Sequence, residues 1–217
     1  MKFINFNNAG SSFATSSTIR KINSYLQKEQ IYGGYKLSEI FEKQLNNFYI
    51  NTSKLINCKP SEISFIQNAT YGWNFFVDSI EIKKSNNVII FDNEYGSNHI
   101  KILKKRFNTK VINLKNGDFA IEELKKKIDE NTKLVSICHI SSQCGDVMNV
   151  EKLGSFLKNK NIFFLVDACQ SIGQVEINVK NIFCDALVCS GRKYLRGPRG
   201  TGFIYIRSEI QNKLNLS

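Results

Sequence analysis

Apolar residues in this chain follow two rhythms. Short runs rich in β-branched and aromatic side chains recur at Glu62–Gln67, Asn87–Phe91, Lys110–Leu114, Lys133–Cys138, Asn161–Val166, Asp185–Ser190 and Thr201–Ile206, and read as seven strands. Between most of them lie the amphipathic stretches Thr70–Ser79, Asn98–Phe107, Ile121–Asp129 and Val150–Lys158, whose apolar residues recur at helical spacing. Upstream, Ser16–Asn57 reads as helical, with Gly33-Gly34 as its break. Parallel strands need crossover connections, so this alternation predicts an α/β fold: a three-layer sandwich with a mainly parallel seven-stranded sheet and helices on both faces.

Ligands of such sheets bind beyond the carboxyl ends of the strands, so the residues that follow each strand carry the candidate chemistry. One strand runs into Asp167-Ala168-Cys169-Gln170, and the next ends in Ser190-Gly191-Arg192-Lys193. A carboxylate and an amine therefore emerge on the same edge. On spacing alone they read equally well as a salt bridge or as a catalytic pair. The continuation Tyr194-Leu195-Arg196-Gly197-Pro198-Arg199-Gly200-Thr201-Gly202 is glycine-rich and positive, which favours an anionic ligand. A second anion site is suggested at Gln67-Asn68-Ala69-Thr70, where a strand passes into a helix whose free N–H groups point outward. Taken by itself, Asn68 or Thr70 is more commonly an ordinary N-cap.

The segments DACQSIGQ and SGRKYLRGPRGTGFIY together resemble the class V aminotransferase superfamily of fold-type I pyridoxal 5′-phosphate (PLP) enzymes, which includes cysteine desulfurases and isopenicillin-epimerase-like proteins. The resemblance runs from Asn7-Asn8-Ala9-Gly10 to the last strand. It implies a PLP-dependent transferase or lyase acting at the α-carbon of an amino acid. Lys193 would hold the cofactor as a Schiff base and move the substrate's α-proton, and Asp167 would pair with the pyridine nitrogen, supporting the electron sink of the ring. Gln170 would hydrogen-bond the phenolic oxygen. Ala69 and Thr70 from one side, with Ser190 and Arg192 from the other, would hold the phosphate, and Tyr95 would stack on the ring. Without a cofactor Tyr95 reads as a core aromatic. His139 resembles a histidine of the family but reads at least as well as a structural residue at a strand end.

The sequence also departs from the desulfurase pattern. Tyr95 and Arg192 stand where desulfurases carry histidines, which points toward the epimerase-like and sulfoxide-lyase-like branch, and an asparagine usual near Ser142 is missing. The chain ends before the family's small C-terminal domain, which supplies a substrate-binding arginine and, in desulfurases, a cysteine nucleophile. The organisation implied is an N-terminal arm over residues 1–15 and a PLP-binding large domain over 16–217. A homodimer or a partner chain supplying the small domain is expected, and the alternative is a catalytically incomplete binding or scaffold subunit.

Composition narrows the remaining classes. The net charge of +11 is spread along helices, as in Lys101, Lys104 and Lys105, and reads as solvated faces, so no nucleic-acid partner is expected. No apolar run is long enough to cross a bilayer and the start lacks a secretory pattern, so no membrane partner and a cytoplasmic location are expected. Six cysteines without a CxxC pair and two histidines read as reduced thiols, with no metal site and no disulfide.

Overall fold

A computed structural model of the chain describes residues 4–114 and 120–215. The first three residues of the start and the last two of the C-terminal segment lie outside the described residues, as does part of the segment between the third and fourth strands.

The chain begins with an arm, then three helices, α1 (Ser16–Tyr32), α2 (Gly34–Ile40) and α3 (Glu42–Ile56). The glycine break is at Gly33 alone, whose φ of 74° only glycine adopts freely, and Gly34 already opens α2. A second break, not expected from the sequence, falls at Phe41. The remainder alternates: β1 (Ile63–Ile66), α4 (Ala69–Ser79), β2 (Asn87–Phe91), α5 (Gly96–Lys105), β3 (Asn108–Ile112), α6 (Ala120–Lys127), β4 (Thr132–Cys138), α7 (Val150–Leu157), β5 (Phe163–Asp167), α8 (Val179–Ile182), β6 (Ala186–Ser190), β7 (Gly202–Ile206) and α9 (Ser208–Gln211).

The sheet has the order β1-β7-β6-β5-β4-β2-β3. Its ladders are parallel except that β7 runs antiparallel to both β1 and β6. The link from β6 to β7 contains no helix, so β7 returns beside β6 in the opposite sense. β3 starts two residues earlier than its apolar residues suggest. It is an edge strand whose register is set by Asn87 opposite Asn108 and Phe91 opposite Ile112, not by burial on two faces. β5 runs on to Asp167, which makes the acid the strand's last residue.

Alternation along the central strands produces two separate cores. Ile89, Phe91, Val135, Ile137, Phe164, Val166 and Leu187 face one layer, packed with α6, α7 and α8 through Leu124, Leu153 and Ile182. Val88, Ile90, Leu134, Leu165, Ala186 and Val188 face the other, packed with α4 and α5 through Trp73, Phe76 and Ile102. Central strands buried on both faces read as continuous apolar runs, which is why their positions are visible in the sequence. The expected three-layer α/β arrangement is the one observed. Its carboxyl edge gathers the ends of β1, β2, β4, β5 and β6.

Two features of this frame carry measurable consequences. A Cβ at Gly154 would lie 1.6 Å from the Ile182 carbonyl oxygen, so α7 and α8 touch through bare backbone. Gly154→Ala is expected to cost about 2–3 kcal/mol, read as a lower urea midpoint at unchanged slope. His139 continues β4, donating its N–H to the Asp167 carbonyl at 2.9 Å, and its ring is 7% exposed with no partner for Nδ1 among the described residues. Burial pushes its imidazole down to about 4. The unfolded chain then binds more protons between the ordinary value and about 4, so stability falls on acidification across that window. At about 1.36 kcal/mol per pH unit the loss is roughly 3 kcal/mol. A His139→Gln chain should show a flatter stability curve over the same pH range by denaturant titration.

Candidate active site

The carboxyl edge of the sheet opens into a cavity of about 440 Å³, within the roughly 300–1,000 Å³ usual for small-molecule sites. Gln67, Asn68, Ala69, Thr70, Tyr95, Asp167, Cys169, Ser190, Arg192, Lys193, Arg199 and Gly200 line it. Seven of the eight residues expected from the sequence are therefore brought together, and Gln170 is the one that is not among the lining residues.

One end of the cavity is the N-terminus of α4. Asn68 caps this helix by accepting from Tyr71 N at 2.9 Å, and Ala69 N donates to Ser190 Oγ at 3.0 Å across 121 residues. Thr70 Oγ1 lies 2.9 Å from Ser97 Oγ, and the Thr70 N–H at the second helical position has no acceptor within the helix. Arg192 and Arg199 add positive charge. The Thr70 N–H, the helix dipole and the guanidinium groups together make an anion cradle.

The other end is acidic. Asp167 is 5% exposed, and its Oδ1 accepts from Cys169 N at 2.9 Å. Burial raises its carboxyl above the usual range, while the Cys169 amide, the Lys193 charge and Asn98 work in the opposite sense. Lys193 is also 5% exposed, and its Nζ lies over the Tyr95 ring, 5.5 Å from the centroid. Amine, acid and aromatic ring thus face one small space.

The arm packs against the loop that carries Lys193. Ser12 N donates to Arg192 O at 3.0 Å, Arg192 Nε to Gly10 O at 3.2 Å, and Arg196 Nε to Phe13 O at 3.0 Å. Gln170 belongs to the same junction: its Nε2 donates to Ala9 O at 3.1 Å, and its buried Oε1 has no partner among the described residues.

Sequence reasoning did not single out Arg199 and Gly200, whose signal was the positive glycine-rich loop itself, whereas Asn68 is the N-cap it allowed for. It also missed Glu94, 2% exposed just before Tyr95, and Asn98, 1% exposed. No local pattern marks a glutamate in a loop as buried. The thiols are spoken for by packing: Cys138, Cys169, Cys184 and Cys189 are buried, no disulfide links any of the six, and burial pushes Cys169 up to about 12.

Comparison with known proteins agrees with this geometry. The chain is 30% identical over 186 residues to a probable cysteine desulfurase of Methanothermobacter thermautotrophicus, covering 84% of this chain and 46% of that protein. It is 31% identical over 212 residues to the cysteine desulfurase IscS of Buchnera aphidicola subsp. Schizaphis graminum, covering 90% and 51% respectively. The chain thus spans about half the length of the curated relatives it matches. Among solved structures, the apo cysteine desulfurase of Thermococcus onnurineus NA1 superposes with a TM-score of 0.84 at 27% identity, over 97% of this chain and 55% of that one. The cystine C-S lyase C-DES, in complex with its reaction product cysteine persulfide, shares the fold at a TM-score of 0.88 and 17% identity, over 97% and 58%. The family model described as aminotransferase class-V matches residues 4–216, and the chain belongs to that family.

Proposed function

We propose that this chain is the cofactor-binding part of a PLP-dependent enzyme that acts at the α-carbon of an amino acid, in the lyase or desulfurase manner of the relatives named above. The observation that carries the reading is the meeting of the buried Lys193 amine and the buried Asp167 carboxylate in one cavity, with the N-terminus of α4 closing its other end.

The residues present fit the cofactor. A phosphate dianion matches the α4 N-terminus, Ser190, Arg192 and Arg199, and the unpartnered Gln170 Oε1 leaves an acceptor at the neighbouring junction for a group not yet supplied. When bound, the cofactor supplies an electron sink that stabilises negative charge at the substrate's α-carbon. Lys193 would hold it through its amine and, standing within the cavity, would take or return the substrate's α-proton. Asp167 would hold the proton of the ring nitrogen. Tyr95 would cover the ring, Ala69 and Thr70 with Ser190 and Arg192 would hold the phosphate, and Gln170 would keep the arm beside the site.

The arm over residues 1–15 and the cofactor domain over 16–217 form the organisation in this reading. A homodimer is part of it. α1 contributes no residue to the core, and Ile19 and Leu26 on α1 are exposed together with Tyr35, Leu45 and Ile50 downstream, apolar side chains that a second copy would cover. A cytoplasmic setting belongs to the same reading; among the described residues no helix is long and apolar enough to cross a membrane.

Purified chain incubated with PLP should turn yellow, and borohydride should bleach the band while fixing the cofactor to Lys193, as read by peptide mass spectrometry. A colourless protein would refute the proposal. Lys193→Ala should lose the covalent band and lower turnover of cysteine or cystine by roughly 10²–10⁴-fold, assayed on the full enzyme that contains this domain. For the dimer, sedimentation should report twice the chain mass, and Ile19→Glu with Leu26→Glu should shift it to the monomer.

A further inference from the structure

Beside Asp167 lies a second carboxylate that the proposed chemistry leaves unused. Glu94 follows β2 and is 2% exposed. Its Oε1 accepts from Tyr95 N at 3.0 Å, Asn98 Nδ2 at 2.8 Å and the Cys138 thiol at 3.4 Å, and its Oε2 accepts from Ser136 Oγ at 2.7 Å. Ser136 Oγ in turn accepts from Trp73 Nε1 at 3.0 Å. Every donor to Glu94 is uncharged.

Asn98 lies between the two acids, donating to Glu94 at 2.8 Å and close enough to Asp167 to favour its anion. One carboxylate oxygen each of Glu94 and Asp167 and the Cys138 sulfur all lie within 4.8 Å of one another. Two carboxylates this close and shielded from water do not both ionise readily without a cation. Burial raises both, and the charge of Asp167 raises Glu94 further. The other titratable groups facing the pair are Cys138 from β4, held well above its ordinary value by burial and by both acids, Cys169 beyond β5, pushed up to about 12 by burial, and Lys193 beyond β6, whose charge favours the Asp167 anion.

We propose that Glu94 is a positioning residue of this site, a second buried acid beside Asp167 and Asn98 that sets how firmly the aspartate holds a cationic ring nitrogen as the pH rises. The inference rests on the PLP reading, because the ring nitrogen is the cation concerned. At lower pH the pair carries one negative charge, on Asp167, and the proton stays on Glu94. As the pH rises Glu94 releases that proton to solvent, and the second negative charge strengthens the pull on the ring cation when this is most easily deprotonated.

Glu94→Gln keeps the size and the Oε1 acceptor but cannot ionise. In the cofactor-free chain, a Glu94 whose folded value lies above its unfolded one makes the folded state hold more protons in between, so stability is lost as pH rises through that window. The native Tm should therefore fall toward alkaline pH, and that of Glu94→Gln should fall less and end higher. A glutamate that only braces the loop predicts a variant less stable at every pH, which overturns the proposal. In the loaded chain, PLP affinity should be equal at the acid end and about tenfold weaker in the variant at the alkaline end, equivalent to a change of about one pH unit in the hold on the ring proton. The difference should vanish with the analogue that has carbon in place of the ring nitrogen. Identical pH dependence in native and variant overturns this inference alone, whereas absence of binding in the native chain overturns the cofactor reading and the inference with it. Should Glu94→Gln fail to fold, Ser136→Ala, which removes the donor to Oε2, should weaken alkaline binding in the same direction by a smaller factor, and no change there counts equally against the proposal.

Discussion

A carboxylate taken out of water costs several kcal/mol unless donors or a cation meet it, and Asp167 is 5% exposed at the end of a central strand. The surrounding structure is arranged to meet that cost. The chain turns sharply after β5 so that Cys169 N donates to Asp167 Oδ1, Asn98 reaches over from α5, and Lys193 arrives from β6. The bonds are still too few to bring the acid down to an ordinary carboxylate, because burial outweighs them. A site that keeps an acid only partly compensated is one built to receive a cation.

The sheet makes this meeting rigid. Asp167 pairs with Val188 on β6 and with Cys138 on β4, so its position is set by ladders on both sides. Lys193 is three residues past Ser190, whose Oγ is tied to the first amide of α4. Those ties fix where the Lys193 backbone stands relative to the helix N-terminus and the acid, through the strand ladder and one short serine side chain. Loops at the carboxyl edge can then carry chemistry because the strands beneath them cannot slide.

How much of this was legible in the sequence follows from burial. Strands β2, β4, β5 and β6 are apolar on both faces, so their runs stand out, whereas the edge strand β3, with Lys110 partly exposed, gives no such contrast and its start was misplaced. The reversed sense of β7 is not written in its residues at all. It follows from the missing helix between Ser190 and Gly202, a topological fact that periodicity does not report. At the site, Asp167 and Lys193 stood near the ends of apolar runs, and their roles were readable from the resemblance carried by DACQSIGQ and SGRKYLRGPRGTGFIY. Glu94 was not, since its burial depends on Trp73, Ser136, Asn98 and Cys138 converging from α4, β4 and α5. The contact of Gln170 with Ala9 spans 161 residues and belongs to the same class of information.

The order of strands also gives the cavity a polarity. Positive elements, the α4 N-terminus after β1, Arg199 before β7 and Arg192 after β6, occupy one side of the sheet order, and the acids Asp167 at β5 and Glu94 after β2 occupy the other. Such a gradient gathers positive groups at one end and acids at the other, with the Lys193 charge beside Asp167 as a partial counterweight. It is favourable for a ligand that is anionic at one end and cationic at the other, with a flat apolar body between them for Tyr95 to cover. A phosphate ester joined to a protonated pyridine has that distribution, and a simple anion or a neutral metabolite does not. The electrostatics of the sheet edge therefore suit that class of cofactor independently of the lysine, which in the proposed reading would fix it covalently.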